Sequence, residues 1–368
     1  VVIFGNIKLN NMVNNIDKQY QDLLKKILEK GRTKGDRTGT GTISIPFATL
    51  EFDMSEGFPL LTTKKVFTKA IVHELLWFIN GDTNIKYLED NGVTIWTSDA
   101  YREYNKKVEG LTDERLTKEN FSLAIKQNPK FAEMYGELGP IYGRQWRKWT
   151  TTQVETVLGD DKRPKSRLKI DSIDQLAEAM NKLLNNPDDR RILVSAWNVA
   201  ELPYMALPPC HWAFELYTEE LTARERMNLS TNYGNTHDIK ANWDVSENLI
   251  NHMCDKWGVP TRRLHLKWHQ RSVDTFLGLP FNIASYAILL HMFAQQANMV
   301  PGTLVGDLTN VHIYSNHVEQ CKEQISREPR ALPKLVLNKA NDLFSYKYSD
   351  VKIENYFPHE SIKGDISV

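Results

Sequence analysis

The chain has 368 residues, more than the roughly 100 to 200 usual for one domain, and its 41% apolar and 25% charged residues supply one well-filled core. Disorder, collagen and coiled coil are excluded. Because 46 basic side chains cancel 46 acidic ones, no long-range field recruits nucleic acid or an anionic membrane, and the expected partner is a small molecule whose charge is met by local clusters.

In chain order, Ile16, Tyr20, Leu23, Leu24, Ile27 and Leu28 recur at helical spacing before Gly31 and predict an opening amphipathic helix. Ile43, Ile45 and Phe47 then alternate as in a strand. Residues 66–79 predict a mostly buried helix that stops at Asn80-Gly81. Strands are expected over 192–197 and 264–268, and a second buried helix over 281–297. Three polar or weakly patterned stretches, near 103–135, 150–169 and 220–263, read as surface insertions in a single domain spanning 1–368, the last with its own helix over 245–257. Elements of both kinds alternate without a βαβ rhythm, which predicts an α+β layer fold. The longest apolar runs, 283–292 and 75–79, are far below a bilayer span, and the first residues lack a basic flank with a long apolar stretch. The chain therefore reads as cytosolic.

Three cysteines without CxxC spacing argue against a disulfide framework or structural zinc. Cys210 follows two prolines and precedes His211; it is either a small buried hydrophobe or a nucleophile whose thiolate nearby cations favour. Cys254 and Cys321 lie in helical patterns and read as packing residues. Arg37 in a Gly/Thr loop, Arg190-Arg191, and Arg271-Ser272 are forks and hydroxyls suited to a phosphate dianion, though each arginine taken alone reads first as a surface ion pair. The loop lacks P-loop spacing. Glu74 interrupts an apolar helix, so it either meets a polar partner or is a tuned acid or base. Asn282 is a helix cap by default, or a base-reading amide. His312 and Tyr314 share a face if their segment is extended, as functional rings or equally as a satisfied pair in a packed sheet. His265 and His269 do not have the setting of a metal site.

Taken together, DRTGTGT at 36–42, FPLLTTKK at 58–65, HELLWF at 73–78, GDTNIKYL at 81–88, GELGPIYGRQWR at 136–147, DDRRILVSAWN at 188–198, MALPPCH at 205–211, QRSVDTFLGLPFNIASYA at 270–287 and HIYSNH at 312–317 resemble the thymidylate synthase family over essentially the whole chain outside the insertions. The resemblance implies a three-layer α+β fold with a mixed sheet, and a homodimer packed through sheet faces in which Arg190 and Arg191 serve the partner's site. It implies one-carbon transfer from 5,10-methylenetetrahydrofolate to carbon 5 of dUMP through a Cys210 adduct at carbon 6, with no metal. Arg37, Arg190, Arg191, Arg271 and Ser272 would hold the phosphate, and His312 and Tyr314 the sugar. Arg271 would also favour the Cys210 thiolate. Glu74, Tyr142 and His211 would order water and relay protons. Asp274 would fix the pterin, with Trp96, Leu277, Gly278, Phe281 and Val368 around it. Asn282 offers an acceptor to uracil N3–H and a donor to O4, which selects uracil over cytosine.

Departures from the family pattern gather on the folate side and among supporting residues: Thr97-Ser98-Asp99 after Trp96, Glu215 for a usual glutamine, His269 for a usual tyrosine, Leu308-Thr309 for a glycine pair, and a tail reading Asp365-Ile-Ser-Val. Added polar groups such as Glu215, His269 and Ser367 favour water over hydride at the methylene intermediate. The expected product is therefore 5-hydroxymethyl-dUMP, as from a viral deoxyuridylate hydroxymethylase in the host cytoplasm. The alternative is a thymidylate synthase making dTMP and dihydrofolate. A non-catalytic nucleotide- or RNA-binding relative is opposed by intact Cys210, Arg271 and Glu74 and by the lack of net positive charge.

Overall fold

The computed structural model describes residues 14–36, 39–110, 115–158, 160, 162–233 and 245–365, with the backbone of Val2–Ile3. Arg37, Ser367 and Val368 lie outside them. The chain divides into two compact units: residues 1–75, 182–192 and 210–368, and residues 76–181 and 193–209.

In the first unit, strands hydrogen-bond in the order Arg32–Lys34, Thr42–Asp53, Val300–Tyr314, Arg262–Gln270, His211–Glu220. The sheet is mixed, because Val300–Tyr314 runs antiparallel to Thr42–Asp53 but parallel to Arg262–Gln270 and Val273–Asp274. This is the expected α+β architecture. The strand predicted at 264–268 extends over Arg262–Gln270 and its residues alternate strictly: Leu264, Leu266, Trp268 and Gln270 are buried, while Arg263, His265, Lys267 and His269 face outward. Against the inner face lies the helix Gly278–Gln296, largely apolar and buried from Ile283 to Gln295. Gly306 makes one close approach possible. A Cβ there would fall 2.5 Å from the Trp268 ring, so glycine lets the indole lie across the neighbouring strand.

The opening helix, Asn15–Lys30, buries the apolar stripe read from sequence, and Asn14 caps it by accepting from the Asp17 N–H at 3.0 Å. Asp17 is itself fully buried, and its carboxylate accepts from the backbone N–H and hydroxyl of both Thr62 and Thr63, which pins the FPLLTTKK segment. Cys254 and Cys321 are fully buried within Glu247–Lys256 and Val318–Ser326, and burial raises both thiol pKa values, that of Cys321 to about 12.

The second unit packs around Trp77, Phe78, Trp96, Tyr142 and Trp146, whose rings meet at 4.7 to 6.5 Å. Residues 103–135 contribute the helices Lys118–Gln127 and Pro129–Tyr135, and Tyr104, Phe121, Phe131 and Tyr135 form a further ring cluster. Residues 150–169 fall in an exposed two-stranded ribbon, Trp149–Leu158 with Pro164–Ile173. In the first unit, Ala223, Met227, Ile250, Cys254 and Val259 build a small core of their own. Arg226, 4% exposed, ties it together through the Pro260 and Val259 carbonyls, Asn251 and Asp255.

Candidate active site

Cys210 is half-buried immediately before the strand His211–Glu220. One extra residue in this strand, between the pairs His211–Gln270 and Ala213–His269, makes a bulge beside the thiol, a device that re-aims side chains. The Cys210 carbonyl accepts the Arg271 backbone N–H at 2.9 Å, so the cationic residue and the thiol residue share one backbone junction. Arg271 and Ser272 occupy the break between Arg262–Gln270 and Val273–Asp274. Buried Gln270 shapes that break, accepting from Trp268 Nε1 at 3.2 Å and donating to the Ser272 carbonyl at 3.1 Å.

Asp274 sits opposite His312 in the parallel ladder. Its Oδ1 accepts from the N–H groups of Phe276 and Leu277, both at 3.1 Å, and so forms the turn that launches the helix Gly278–Gln296. Leu277, Gly278, Phe281 and Asn282 are half-buried along the start of this helix. The cap reading of Asn282 is overturned: the cap position is Leu277, and Asn282 lies inside the helix, where backbone N–H groups already have helical partners. Its amide therefore serves something other than the helix end. His312 and Tyr314 do share a face, with rings 5.1 Å apart and perpendicular, and His312 Nδ1 bonds the Asn310 carbonyl at 2.8 Å. Arg190 and Arg191 are exposed on a turn held by Asp189, which accepts the Arg191 N–H at 2.9 Å, and by Lys182, which donates to the Arg191 carbonyl at 2.8 Å. Neither guanidinium has an ion-pair partner among the described residues.

Along 71–79 every residue is buried except Glu74, which is half-buried. Its negative charge, added to burial, raises the pKa of the Tyr286 phenol far above the ordinary range. Tyr286 Oη is 2.9 Å from His211 Nδ1, and burial pushes the His211 imidazole down to about 3, so it is neutral at physiological pH. Sequence reasoning gave Tyr286 no role, although the signal was present: Tyr286 lies four residues after Asn282 and thus on the same helix face. In the second unit, Tyr142 opens the helix Tyr142–Lys148 and, like Trp96, is buried in the ring cluster.

The sequence profile described as "Thymidylate synthase" matches residues 18–368. The chain belongs to the thymidylate synthase family. Proteins named thymidylate synthase are 44% identical over 351 residues in Mycoplasma mobile (95% of this chain, 99% of the relative) and 40% identical over 370 residues in Listeria monocytogenes and in Listeria innocua (95% of this chain, 100% of each relative). As a member of this family the chain is a pyrimidine-nucleotide carbon-5 one-carbon transferase with 5,10-methylenetetrahydrofolate as co-substrate. Among the described residues no cluster could hold a metal ion, and no helix is long and apolar enough to cross a membrane.

Four of the departures from the thymidylate synthase pattern, Glu215, His269, Thr97 and Asp99, are engaged in contacts of their own. His269 faces outward from the sheet, with Nε2 3.1 Å from Glu215 and Nδ1 3.0 Å from Asp307, making a ladder across three strands. That is the face opposite Trp268, on which Tyr286 and His211 pack. In the second unit the Thr97 hydroxyl donates to Glu89, a carboxylate 1% exposed that also accepts from Ser122 at 2.8 Å and pairs with Lys126 at 3.3 Å. Asp99 pairs with Arg102 at 2.7 Å. Of the polar groups on which the viral hydroxymethylase reading rested, Glu215 and His269 thus bond to each other on the outer face and Ser367 lies outside the described residues, while relatives named thymidylate synthase favour the alternative.

Proposed function

We propose that this chain is a thymidylate synthase: it transfers the one-carbon unit of 5,10-methylenetetrahydrofolate to carbon 5 of dUMP and reduces it, yielding dTMP and dihydrofolate. The observation that supports this choice of product is the Glu215–His269–Asp307 ladder, which commits the added Glu215 and His269 to the sheet's outer face. Cys210 sulfur adds to carbon 6, which makes carbon 5 a nucleophile that uracil otherwise lacks. Arg271, joined to Cys210 through the backbone, favours the thiolate. Arg37, Arg271 and Ser272 hold the phosphate, each charged hydrogen bond contributing about 1.5–3 kcal/mol. His312 and Tyr314 meet the sugar, Asn282 reads uracil, and Glu74, Tyr142 and His211 order water and move protons at the ring. Asp274 fixes the pterin, with Trp96, Leu277, Gly278, Phe281 and Val368 as its surroundings.

The working form is a homodimer joined through the outer sheet face, where Phe47 is 68% and Tyr217 65% exposed beside the histidine ladder. Exposed Arg190 and Arg191 then reach the partner's phosphate. Mixing inactive Cys210→Ser and Arg191→Ala protomers tests this: hybrid dimers regain one intact site and activity returns, whereas no recovery after proven subunit exchange rejects the shared site. The product assignment is tested by the dihydrofolate absorbance rise. One dihydrofolate per dUMP consumed supports a synthase, and nucleotide turnover without dihydrofolate refutes it.

A further inference from the structure

The inner face of the large sheet holds one aromatic group in a position the reaction scheme has not used. Tyr286 is 2% exposed in the helix Gly278–Gln296. Its ring lies flat on Trp268, with centroids 5.5 Å apart and planes 8° from parallel, and Phe214 closes its side at 5.9 Å. Trp268 is fixed in turn, lying across Gly306 and donating to Gln270. The phenol is packed on two sides, and its oxygen lies 2.9 Å from His211 Nδ1 with the two rings perpendicular at 5.4 Å.

We infer that Tyr286 is a positioning residue for the reaction: its O–H donates to Nδ1 of His211 and fixes the imidazole in the tautomer that carries its proton on Nε2. A phenol has one hydrogen to give, and among the described residues His211 Nδ1 is the only acceptor within hydrogen-bond distance of this one. Were Nδ1 the donor instead, the phenolic hydrogen would be buried without an acceptor, which costs about 1–3 kcal/mol. The opposite direction is thereby disfavoured. Both groups also keep their protons where this bond needs them, since burial and the Glu74 charge hold the phenol un-ionised and burial holds the imidazole neutral. The result is an imidazole that presents an N–H donor at Nε2 and does not change charge around neutrality, suited to ordering a water or a carbonyl oxygen at the pyrimidine. That use rests on the role of His211 proposed above; the tautomer does not.

Two-bond 15N–1H correlation spectra of histidine-labelled full-length protein read the tautomer directly. The expected spectrum has His211 Nδ1 bare and Nε2 protonated, unchanged between about pH 5.5 and 8. In Tyr286→Phe both tautomers should appear, with kcat lower by about threefold to tenfold and KM for dUMP within about twofold. An Nδ1–H signal in the unmutated protein overturns the assignment. A single Nε2–H tautomer persisting in Tyr286→Phe, or unchanged kcat despite mixed tautomers, overturns the positioning role. If Tyr286→Phe does not fold, 3-fluorotyrosine at 286 keeps the shape with a more acidic O–H; His211 nitrogen resonances should move, and unmoved resonances count against the bond. A correct tautomer in a protein that makes no dTMP refutes the synthase assignment and leaves this inference standing.

Discussion

His211 and His269 lie on opposite faces of one sheet and show how neighbours decide what an imidazole is for. His211 faces a phenol on the inner side, where burial lowers its pKa. His269 faces outward between Glu215 and Asp307, with Lys267 3.7 Å from the same Asp307. The first arrangement yields a neutral, fixed donor beside the Cys210 bulge. The second cross-links three strands. The proposed chemistry lies on the inner side, and two of the substitutions that looked chemical in the sequence, Glu215 and His269, sit on the outer side.

The inner side breaks most completely at the nucleophile. Cys210→Ser should reduce tritium release from carbon 5 of dUMP to background, because a hydroxyl is not ionised by the cations that favour a thiolate. Near wild-type release would remove covalent catalysis. The Pro-Pro-Cys-His turn that singles out this residue in the sequence is local, and the helix over Gly278–Gln296 was legible because its apolar run needs no distant information. The Glu215–His269–Asp307 ladder was not legible. Its members lie 38 and 54 positions apart, and only the strand register, set beyond an insertion, brings them together. Thr97 misled for the same reason, since its partner Glu89 becomes a buried carboxylate only once the surrounding helices pack. Asn282 reads as a cap after a proline turn, but Asp274 makes that turn and moves the helix start upstream.

Asn282→Asp tests the inner face at the base. Replacing a donor toward O4 with an acceptor or an acid mispairs a hydrogen bond worth about 1–3 kcal/mol, so the ratio of kcat/KM values should move at least about tenfold from dUMP toward dCMP. Competitive assays with both nucleotides measure it, and an unchanged ratio means the amide does not meet the base.

Neutral buried imidazoles also set an acid limit. His291, 4% exposed and bonded to the Ala287 carbonyl at 2.7 Å, is held down to about 4, and His211 to about 3. Below about pH 6.5 the unfolded chain takes up protons that the folded chain refuses, so stability falls with pH from there toward those folded values. For His291 the loss at pH 5 is about 2 kcal/mol. Chemical denaturation at pH 7 and pH 5 should show a smaller difference for His291→Met than for the unmutated protein; an equal difference would place the acid lability elsewhere.

The smallest effect is expected on the outer face. The double variant Glu215→Gln with His269→Tyr replaces two of the three ladder members by the residues usual in the family, and kcat should stay within about twofold with the product unchanged. A shift in product would return these residues to the chemistry.

The most direct measurement follows the hydride itself. With 5,10-methylenetetrahydrofolate carrying deuterium at the hydride-donating pterin carbon, mass analysis of the nucleotide made from dUMP should find dTMP with one deuterium in its methyl group, accompanied by an equal amount of dihydrofolate. Undeuterated 5-hydroxymethyl-dUMP formed with tetrahydrofolate release would contradict the assignment and return the departures to the active site.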